Sequence, residues 1–439
     1  MALYISDIHL KNIRCFKDLS LRLVQNGKPV LWTTLLGENA AGKTTLLRSI
    51  AIGLCDESSA AGLLKESEQG YIRRGASQGT IMIELRGADD NKIKCSIETT
   101  IKKENIKGKS FENLRQEIRP TKFRPWDNLL ICAYGIGRGS AGTGDISGYT
   151  AISAVYNLFN YSEGLQNPEL VWHRLKTESK RKEIRNLLKS ILNLTEENNI
   201  HLESDGIKVE GPWDSKMPLR DLADGYRSTF QWVTDFIGWA ISFNPIYSKS
   251  KSIQGIVLID AIEEHLHPRW QRTIVSQLKR IFPNVQFIAA THSPLVAAGT
   301  ADYKQAHIVA LELKERNEVE GELILNNELR GMRADQVLRS HAFRMMATAS
   351  PNSVSDLTKY YELSSKKKLS LKDKETVKKL KENIKKEISF GDTSFEVEVE
   401  EAVLSTLKKM LKKRPPEIYR LEAKRQLRNI FRKKHNERD

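Results

Sequence analysis

The segment of this chain with the clearest chemical signature is residues 37–45, which read GENAAGKTT. The spacing is G-x-x-x-x-G-K-T, and it stands where an apolar run gives way to helical periodicity. In such a loop, backbone N–H groups curl around phosphates, the lysine reaches the outer phosphates, and the threonine hydroxyl binds Mg²⁺. The pattern predicts a triphosphate and Mg²⁺ site formed by Gly37, Glu38, Asn39, Ala40, Ala41, Gly42, Lys43, Thr44 and Thr45.

A second candidate residue is Asp260, which ends the apolar run GIVLID. A carboxylate at the end of a buried strand near a phosphate loop can hold the magnesium ion. The alternative is an aspartate that only caps a following helix. The next residue is Ala261, and because a methyl group accepts no proton, this position offers no general base.

Two further segments point to an anion. His292 follows the apolar run VQFIAAT, where it is either a phosphate contact or a plain loop residue. Residues 219–228, LRDLADGYRS, precede a long helical pattern, and Gly225 permits close approach to a helix N-terminus, which attracts anions. The alternative for this second segment is a simple helix cap at Asp224.

The remaining polar candidates leave alternatives open. Arg138 lies in a glycine-rich loop after the apolar run NLLICAYG, and it is either a phosphate contact or part of a flexible loop. His265 and His267, with Glu263 and Glu264 beside them, could form a metal site, although this reading is disfavoured.

These segments need a parallel sheet to bring them together. GIVLID and VQFIAATHS flank an amphipathic helical pattern, which predicts a βαβ unit, and AHIVALEL with GELILNN could close one edge of the sheet. The first forty residues read as strands, of which the last leads into the phosphate loop, and residues 80–101 read as a second pair of strands in a β-rich lobe. Residues 102–124 read as a basic, polar connection. Residues 151–195, the segment after Asp224 and the region beyond about residue 330 read as helices.

Composition restricts the class of protein. The 439 residues are 40% hydrophobic and 28% charged, which is typical of a globular protein and excludes disorder of the whole chain. The net charge of +15 favours a polyanion such as DNA or RNA as a partner. Neither a secretory signal nor a membrane span is evident, and the four cysteines form no CxxC pair, so we expect a cytoplasmic protein with reduced core thiols and no membrane partner.

The order of these motifs resembles a known family. VLID followed by HLHP, and then ATHSP at residues 290–294, resemble the ABC-type ATPases of the SMC and RecF kind over about residues 1–340. The resemblance implies an α/β, ABC-ATPase-like P-loop fold with a β-rich lobe and a helical C-terminal appendage, and ATP with Mg²⁺ as cofactors. It implies that Thr44 and Asp260 hold the metal and that His292 is the switch histidine, which contacts the γ-phosphate.

The same resemblance assigns a role to position 261. In this family a glutamate follows the Walker B aspartate, which corresponds to Asp260 here, and this glutamate polarises the attacking water. Ala261 in its place implies hydrolysis slowed by about 10²- to 10⁴-fold. Everything else in the motif set is intact, so an introduced change that traps bound ATP is favoured over a natural loss.

The resemblance also assigns a second half-site. Leu222, Ala223, Asp224, Gly225 and Tyr226 stand in the places of the signature sequence L-S-G-G-Q, with Ser228 just after them. In this family the signature completes the ATP site of an opposite subunit, so the resemblance implies a head-to-tail dimer or a higher multiple that ATP holds together.

Within the family, DGYRS, HLHP and GMRADQVL are most similar to the ATPase subunit of the Septu anti-phage system, which also occurs with some retrons. That resemblance implies a partner nuclease of the HNH type. The alternatives are a DNA-repair ATPase of the RecF or SMC kind and an OLD-like nuclease with its own catalytic domain. The nuclease alternative is disfavoured because this sequence has no D-x-D pair after residue 340, and a two-metal nuclease site requires one. A transporter ATPase is the least favoured alternative.

The C-terminal region carries a concentrated positive charge. Residues 408–434 contain twelve basic and two acidic residues, interleaved with apolar positions such as Leu427, Ile430 and Phe431. We predict an ATPase domain over residues 1–340 and a basic helical region over residues 341–439. The latter is expected to dock the partner, with nucleic acid or a solvated surface as alternatives.

Overall fold

The computed structural model describes residues 3–343 except 68, 88–92, 107–108, 143–147, 214, 248, 315–317 and 325, and also residues 355–356, 359–360, 363, 370 and 373–380. Its contacts divide the chain into two compact units, Met1–Met346 and Ala347–Asp439. The basic segment 408–434, to which a docking role is assigned above, lies outside the described residues.

Strands dominate the first unit up to residue 134 and recur near its end. In chain order, the described strands are β1 (Leu3–Ile13), β2 (Phe16–Arg22), β3 (Val24–Gln25), β4 (Lys28–Pro29), β5 (Trp32–Gly37), β6 (Gln78–Gly87), β7 (Ile93–Ile106), β8 (Lys109–Arg119), β9 (Ile131–Tyr134), β10 (Ile200–Glu203), β11 (Gly206–Val209), β12 (Met217–Pro218), β13 (Gly255–Ile259), β14 (Val285–Ala290), β15 (Ala306–Lys314) and β16 (Glu318–Ile324).

Helices fill the intervals between these strands. The described α-helices of the first unit are α1 (Lys43–Leu54), α2 (Glu57–Lys65), α3 (Ala151–Val155), α4 (Pro168–Arg174), α5 (Glu178–Ile191), α6 (Asp224–Phe243), α7 (Pro268–Ile281), α8 (Pro294–Ala301), α9 (Asn326–Leu329) and α10 (Ala334–Arg339).

The central sheet has six strands in the order β16-β15-β5-β14-β13-β9. The neighbours from β15 to β9 pair in parallel, and β16 pairs antiparallel with β15 at the edge. Strands β13 and β14 are buried at every position because helices or the second sheet cover both faces, as parallel sheets require. The predicted βαβ unit, the β15–β16 edge and the α/β fold class are confirmed.

A second, five-stranded antiparallel sheet, β2-β1-β6-β7-β8, forms the β-rich lobe. The interpretation of residues 102–124 as a polar connection was wrong, because β7 continues to Ile106 and β8 pairs with it, with Ile101 opposite Leu114. An edge strand needs few apolar residues, and among the residues of β8 whose burial is described, Leu114 is the one buried side chain. Its mostly polar sequence therefore hid the strand.

Helix α1 lies between the two sheets. Leu46, Leu47 and Ile50 are fully buried in a cluster that includes side chains of both sheets. On the opposite face of the central sheet, Trp32 and Phe287 pack with residues of α6 and α7. The sheet is thus fixed on both faces, and the carboxyl ends of β5, β14 and β13 lie side by side at one edge.

Among the described residues, no helix is long and apolar enough to span a membrane. The four cysteines are free thiols, with Cys55, Cys95 and Cys132 buried and Cys15 partly so.

Candidate functional site

The phosphate loop follows β5 directly and ends in the first turn of α1. Gly42 precedes that helix with φ of 85°, and a Cβ there would lie 2.5 Å from Cys15 Sγ. Only glycine satisfies both the left-handed backbone and this close approach. The loop therefore presents the N-terminus of α1 to the space above it, as an anion-binding turn must.

Lys43 folds back over this loop. Its Nζ donates hydrogen bonds to the carbonyl oxygens of Gly37 and Glu38, at 2.7 and 2.9 Å. Burial lowers the pKa of Lys43 to about 8, while the nearby carboxylates of Asp260 and Glu263 act in the opposite direction. At neutral pH the ammonium is still mostly protonated and held beside the helix N-terminus.

Thr44 and Asp260 meet across the sheet. The Thr44 hydroxyl donates to Asp260 Oδ2 at 2.5 Å, although the two residues are 216 positions apart in sequence. The pairing order explains this contact, since β14 alone separates β5 from β13. A hydroxyl and a carboxylate that converge in this way are oxygen ligands of the kind that Mg²⁺ prefers.

A cavity of about 390 Å³ opens at this edge of the sheet. Its lining consists of Arg14, Cys15, Asn39, Ala40, Gly42, Lys43, Thr44, Thr45, Gln69, Asp260, Ala261, Thr291 and His292. The structure thus brings most of the sequence-predicted residues to one cavity. Of the candidates, Gly37, Glu38, Ala41 and the segment 222–228 are not among the described lining residues.

Hydrogen bonds join Thr291 and His292, which follow β14, to Glu263 in the segment after β13. Glu263 accepts hydrogen bonds from the Thr291 hydroxyl at 2.6 Å and from the His292 backbone N–H at 2.7 Å. Burial, with Lys43 adding to it, lowers the pKa of His292 below its usual value of 6.5. The imidazole is therefore neutral at neutral pH, with one nitrogen available as a donor.

The signature-like segment lies at the start of α6. Ala223 and Asp224 are exposed, while Leu222, Gly225 and Ser228 are buried. A Cβ at Gly225 would lie 2.4 Å from the His265 carbonyl oxygen, so this glycine is needed for the close contact between α6 and the segment after β13. Ala223 supplies no side-chain cap. Its carbonyl accepts the N–H groups of Tyr226 at 2.9 Å and Arg227 at 3.1 Å, so in the first turn of α6 only the N–H groups of Asp224 and Gly225 are open to a ligand.

Arg138 is neither part of a flexible loop nor at the surface of the cavity. Its side chain is 2% exposed, and it donates to the carbonyl oxygens of Asp260 at 2.7 Å and Ala261 at 2.6 Å. It also forms an ion pair with Glu264 at 3.4 Å. The structure therefore replaces both interpretations of Arg138 with a buried contact to the residues after β13.

His267, one of the two histidines near Glu263 and Glu264, caps a helix. His267 Nδ1 accepts the backbone N–H of Arg269 and so caps α7. Among the described residues, no group of three or more histidine, cysteine or acidic side chains is arranged to hold a metal ion. The disfavoured metal-site alternative gains no support from this geometry.

Sequence reasoning missed four lining residues: Arg14, Cys15, Gln69 and Thr291. Arg14 and Cys15 occupy the turn between β1 and β2, and Arg14 Nε holds the neighbouring loop through the Gly70 carbonyl at 2.9 Å. Nothing in the local pattern distinguishes these residues from ordinary turn residues. The only available signal for Thr291 was its position beside His292.

The fold and this strand-end site define the chain as an α/β P-loop protein. Residues 173–298 match the family model described as an AAA domain, putative AbiEii toxin, Type IV TA system. The chain is 30% identical over 412 residues to Septu protein PtuA of Bacillus mycoides (strain KBAB4), covering 91% of this chain and 53% of that protein. The resemblance to Septu proteins that the motifs predicted is confirmed.

Two further similarities have narrower scope. Over 82 residues the chain is 44% identical to the Retron Vc95 probable ATPase of Vibrio cholerae serotype O1 biovar El Tor, covering 19% of this chain and 16% of that protein. An SMC head domain bound to the C-terminal winged-helix domain of ScpA has a TM-score of 0.45 and 12% identity, covering 73% of this chain and 98% of that one. The matches cover about half of the Septu protein PtuA and less than a fifth of the retron ATPase, so the chain spans only part of these two relatives.

Proposed function

We propose that this chain is the ATP-binding subunit of an anti-phage defence complex of the Septu type. It binds ATP with Mg²⁺ in the 390 Å³ cavity, associates head to tail with a second copy, and controls a partner nuclease of the HNH type. The observation that carries the proposal is the convergence of Lys43, Thr44, Asp260 and His292 on one cavity. The similarity to Septu protein PtuA supports the defence role.

The residues present fit a magnesium triphosphate. The Lys43 ammonium donates hydrogen bonds to two carbonyl oxygens of its own loop. When the nucleotide enters, these hydrogen bonds are replaced by hydrogen bonds to phosphate oxygens. The N-terminus of α1 faces the same anion. Thr44 and Asp260 supply the hydroxyl and carboxylate oxygens for the metal, which when bound neutralises charge on the outer phosphates.

Hydrolysis depends on a group that can accept a proton from water. Ala261 lines the cavity and has none. Glu263 is not a described lining residue, and its carboxylate is occupied by Thr291 and His292. The chain therefore binds ATP and turns it over slowly, and neutral His292 donates a hydrogen bond to the terminal phosphate.

The head-to-tail dimer rests on two separate half-sites. The phosphate loop lies at the cavity, and the exposed start of α6 at Ala223 and Asp224 lies outside it. A helix N-terminus that faces outward without a side-chain cap is complementary to the terminal phosphate held by another copy. ATP then bridges the two copies.

The partner and any nucleic acid are assigned to the C-terminal region. The segment 408–434 combines positive charge with apolar positions, as a surface that docks an effector protein would. Contact with DNA or RNA is a secondary role of the same segment. The division into an ATPase domain over residues 1–340 and this appendage remains part of the proposal.

Binding of a fluorescent ATP analogue, with and without Mg²⁺, tests the proposal. Lys43→Ala removes a charged hydrogen-bond donor and should weaken binding about 10- to 100-fold. Lys65→Ala, at an exposed position on α2, is the matched control and should leave affinity unchanged. Equal affinities for all three proteins would show that the nucleotide does not occupy this cavity.

A further inference from the structure

Residue 261 has an unusual backbone. Ala261 has φ of 46°, in the left-handed region that side-chain-bearing residues rarely adopt, and it is the residue whose side chain borders the cavity just after Asp260. Such a conformation persists only when its surroundings impose it. The contacts that impose it are therefore of interest, because they set the direction in which any side chain at 261 points.

The neighbouring backbone groups restrain the segment only partly. The Asp260 N–H donates to the Tyr134 carbonyl at 2.8 Å, and the Ile262 N–H donates to the Ala290 carbonyl at 3.0 Å. These bonds attach the segment to β9 and β14 on either side. The Glu264 N–H donates to the Ala261 carbonyl at 2.9 Å from within the same turn. These backbone bonds leave the Asp260 carbonyl, and the second acceptor position of the Ala261 carbonyl, to side-chain donors.

Arg138 supplies those donors from inside the fold. Its Nη1 donates to the Asp260 carbonyl and its Nη2 to the Ala261 carbonyl, so one planar guanidinium holds two consecutive carbonyls at 2.7 and 2.6 Å. The same Nη1 donates to Gly135 of its own loop at 3.1 Å, which anchors the guanidinium. Because the fork is rigid, it fixes the relative orientation of both carbonyls.

We propose that Arg138 is a positioning residue that imposes the left-handed turn at residue 261 and thereby directs the side chain at this position toward the cavity. The consequence for catalysis rests on the proposed ATPase function. The structural part does not, because it concerns only the backbone at 261. Arg138 also pairs with the buried Oε2 atom of Glu264, and a charge-matched control separates that ion pair from the two carbonyl bonds.

A double-mutant cycle in the full-length chain, without nucleotide, tests the structural part by urea unfolding. Glycine adopts a positive φ without penalty, so Ala261→Gly should raise the folded-to-unfolded ratio several-fold when Arg138 is present. In an Arg138→Met background the turn relaxes, and the same change should give no gain. An equal gain in both backgrounds would overturn the proposal. Arg138→Lys, which cannot hold both carbonyls in a fixed fork, replaces Arg138→Met if that protein does not fold.

Glu264→Gln is the matched control for charge. It removes the ion pair and keeps the two carbonyl bonds, so the gain from Ala261→Gly should persist in this background. Loss of the gain here, as in Arg138→Met, would assign the effect to charge neutralisation and overturn the proposal.

The catalytic consequence is read in an Ala261→Glu background. There Arg138→Lys should lower kcat for ATP hydrolysis at least 10-fold, while affinity for the fluorescent ATP analogue changes less than 3-fold. Unchanged kcat would contradict a positioning role. If no variant binds the analogue, the proposed function fails, and the unfolding cycle still decides the role of Arg138.

Discussion

At the scale of single residues, the cavity combines an ammonium, a hydroxyl and a carboxylate with a methyl group at residue 261. Lys43, Thr44 and Asp260 are held within hydrogen-bond distance of their partners in the described structure. The methyl of Ala261 borders the same space. This arrangement is the basis of the proposal that the chain binds ATP and hydrolyses it slowly, because the groups suited to phosphate and metal are present and the side chain of residue 261 accepts no proton.

Restoring a carboxylate at 261 should therefore restore turnover. We expect Ala261→Glu to raise the steady-state rate of ATP hydrolysis by about 10²-fold or more, measured as phosphate release. Ala261→Gln is the control, since it has the same size and accepts no proton at this pH. If both variants match the parent chain, then another residue is the base.

At the scale of elements, α6 links the signature-like segment to the central sheet. Its first turn contacts the His265 carbonyl through Gly225, and further along, Asp235 accepts the Tyr134 hydroxyl of β9 at 2.8 Å and the Gln166 N–H at 2.9 Å. Burial raises the pKa of Asp235 to about 6, and hydrogen bonds from Gln166 and Tyr134 partly oppose this. The anchor of α6 is thus a buried, titrating carboxyl group.

That pKa gives a defined pH dependence of stability. The Asp235 carboxyl group binds its proton more tightly in the folded protein than in the unfolded chain, where its pKa is near 3.8. The contribution of this proton to the free energy of unfolding is therefore complete below about pH 4 and is lost as pH rises through about 6. The contribution is roughly 3 kcal/mol, from a shift of about two units. The Asp235→Asn variant should lack this pH-dependent contribution. The free energy of unfolding of the variant minus that of the parent chain, measured by urea denaturation, should therefore rise between pH 4.5 and pH 7.5. A constant difference would mean that Asp235 does not titrate in this range.

The start of α6 offers a sharper test of head-to-tail association. Ala223 is exposed at the N-cap, where aspartate and serine both stabilise a helix by about 1 kcal/mol. Ala223→Asp places a carboxylate against the phosphate of the other copy and should weaken ATP-dependent association at least 10-fold, whereas Ala223→Ser should not. Light scattering after size exclusion, with and without ATP, measures this. Normal assembly of Ala223→Asp would show that residues 222–228 do not contact nucleotide.

At the scale of the whole molecule, the described cavity lies entirely within the unit Met1–Met346. We expect a chain truncated after Met346 to bind the ATP analogue with unchanged affinity and to lose the proposed partner nuclease in a pull-down. A truncated chain that keeps the nuclease would exclude the C-terminal region as the docking surface.

The same truncation separates protein docking from nucleic-acid binding. Each phosphate contact with duplex DNA contributes about −0.9 to the slope of log affinity against log salt concentration. If the full-length chain binds DNA with a steep slope and only this binding is lost on truncation, the segment 408–434 is a nucleic-acid site.

The sequence by itself determined those parts of the protein that local chemistry specifies. The spacing from Gly37 to Thr45, the acid after GIVLI and the histidine after VQFIAAT each lie at the end of an apolar run, and parallel strands bring such ends to one edge. That is why the α/β class and most residues of the cavity could be predicted without coordinates.

The tertiary structure decided what depends on contacts between distant segments. Strand β8 exists because it pairs with β7, and its own residues carry little strand signal. Arg14 and Gln69 reach the cavity only through the packing of the β-rich lobe against the phosphate loop. Arg138 reads as a loop residue in sequence, and its burial under Asp260 and Ala261 follows from the pairing of β9 with β13. The order of strands in a sheet and the burial of a polar side chain such as Arg138 depend on contacts between distant segments, which the residues around each position do not specify.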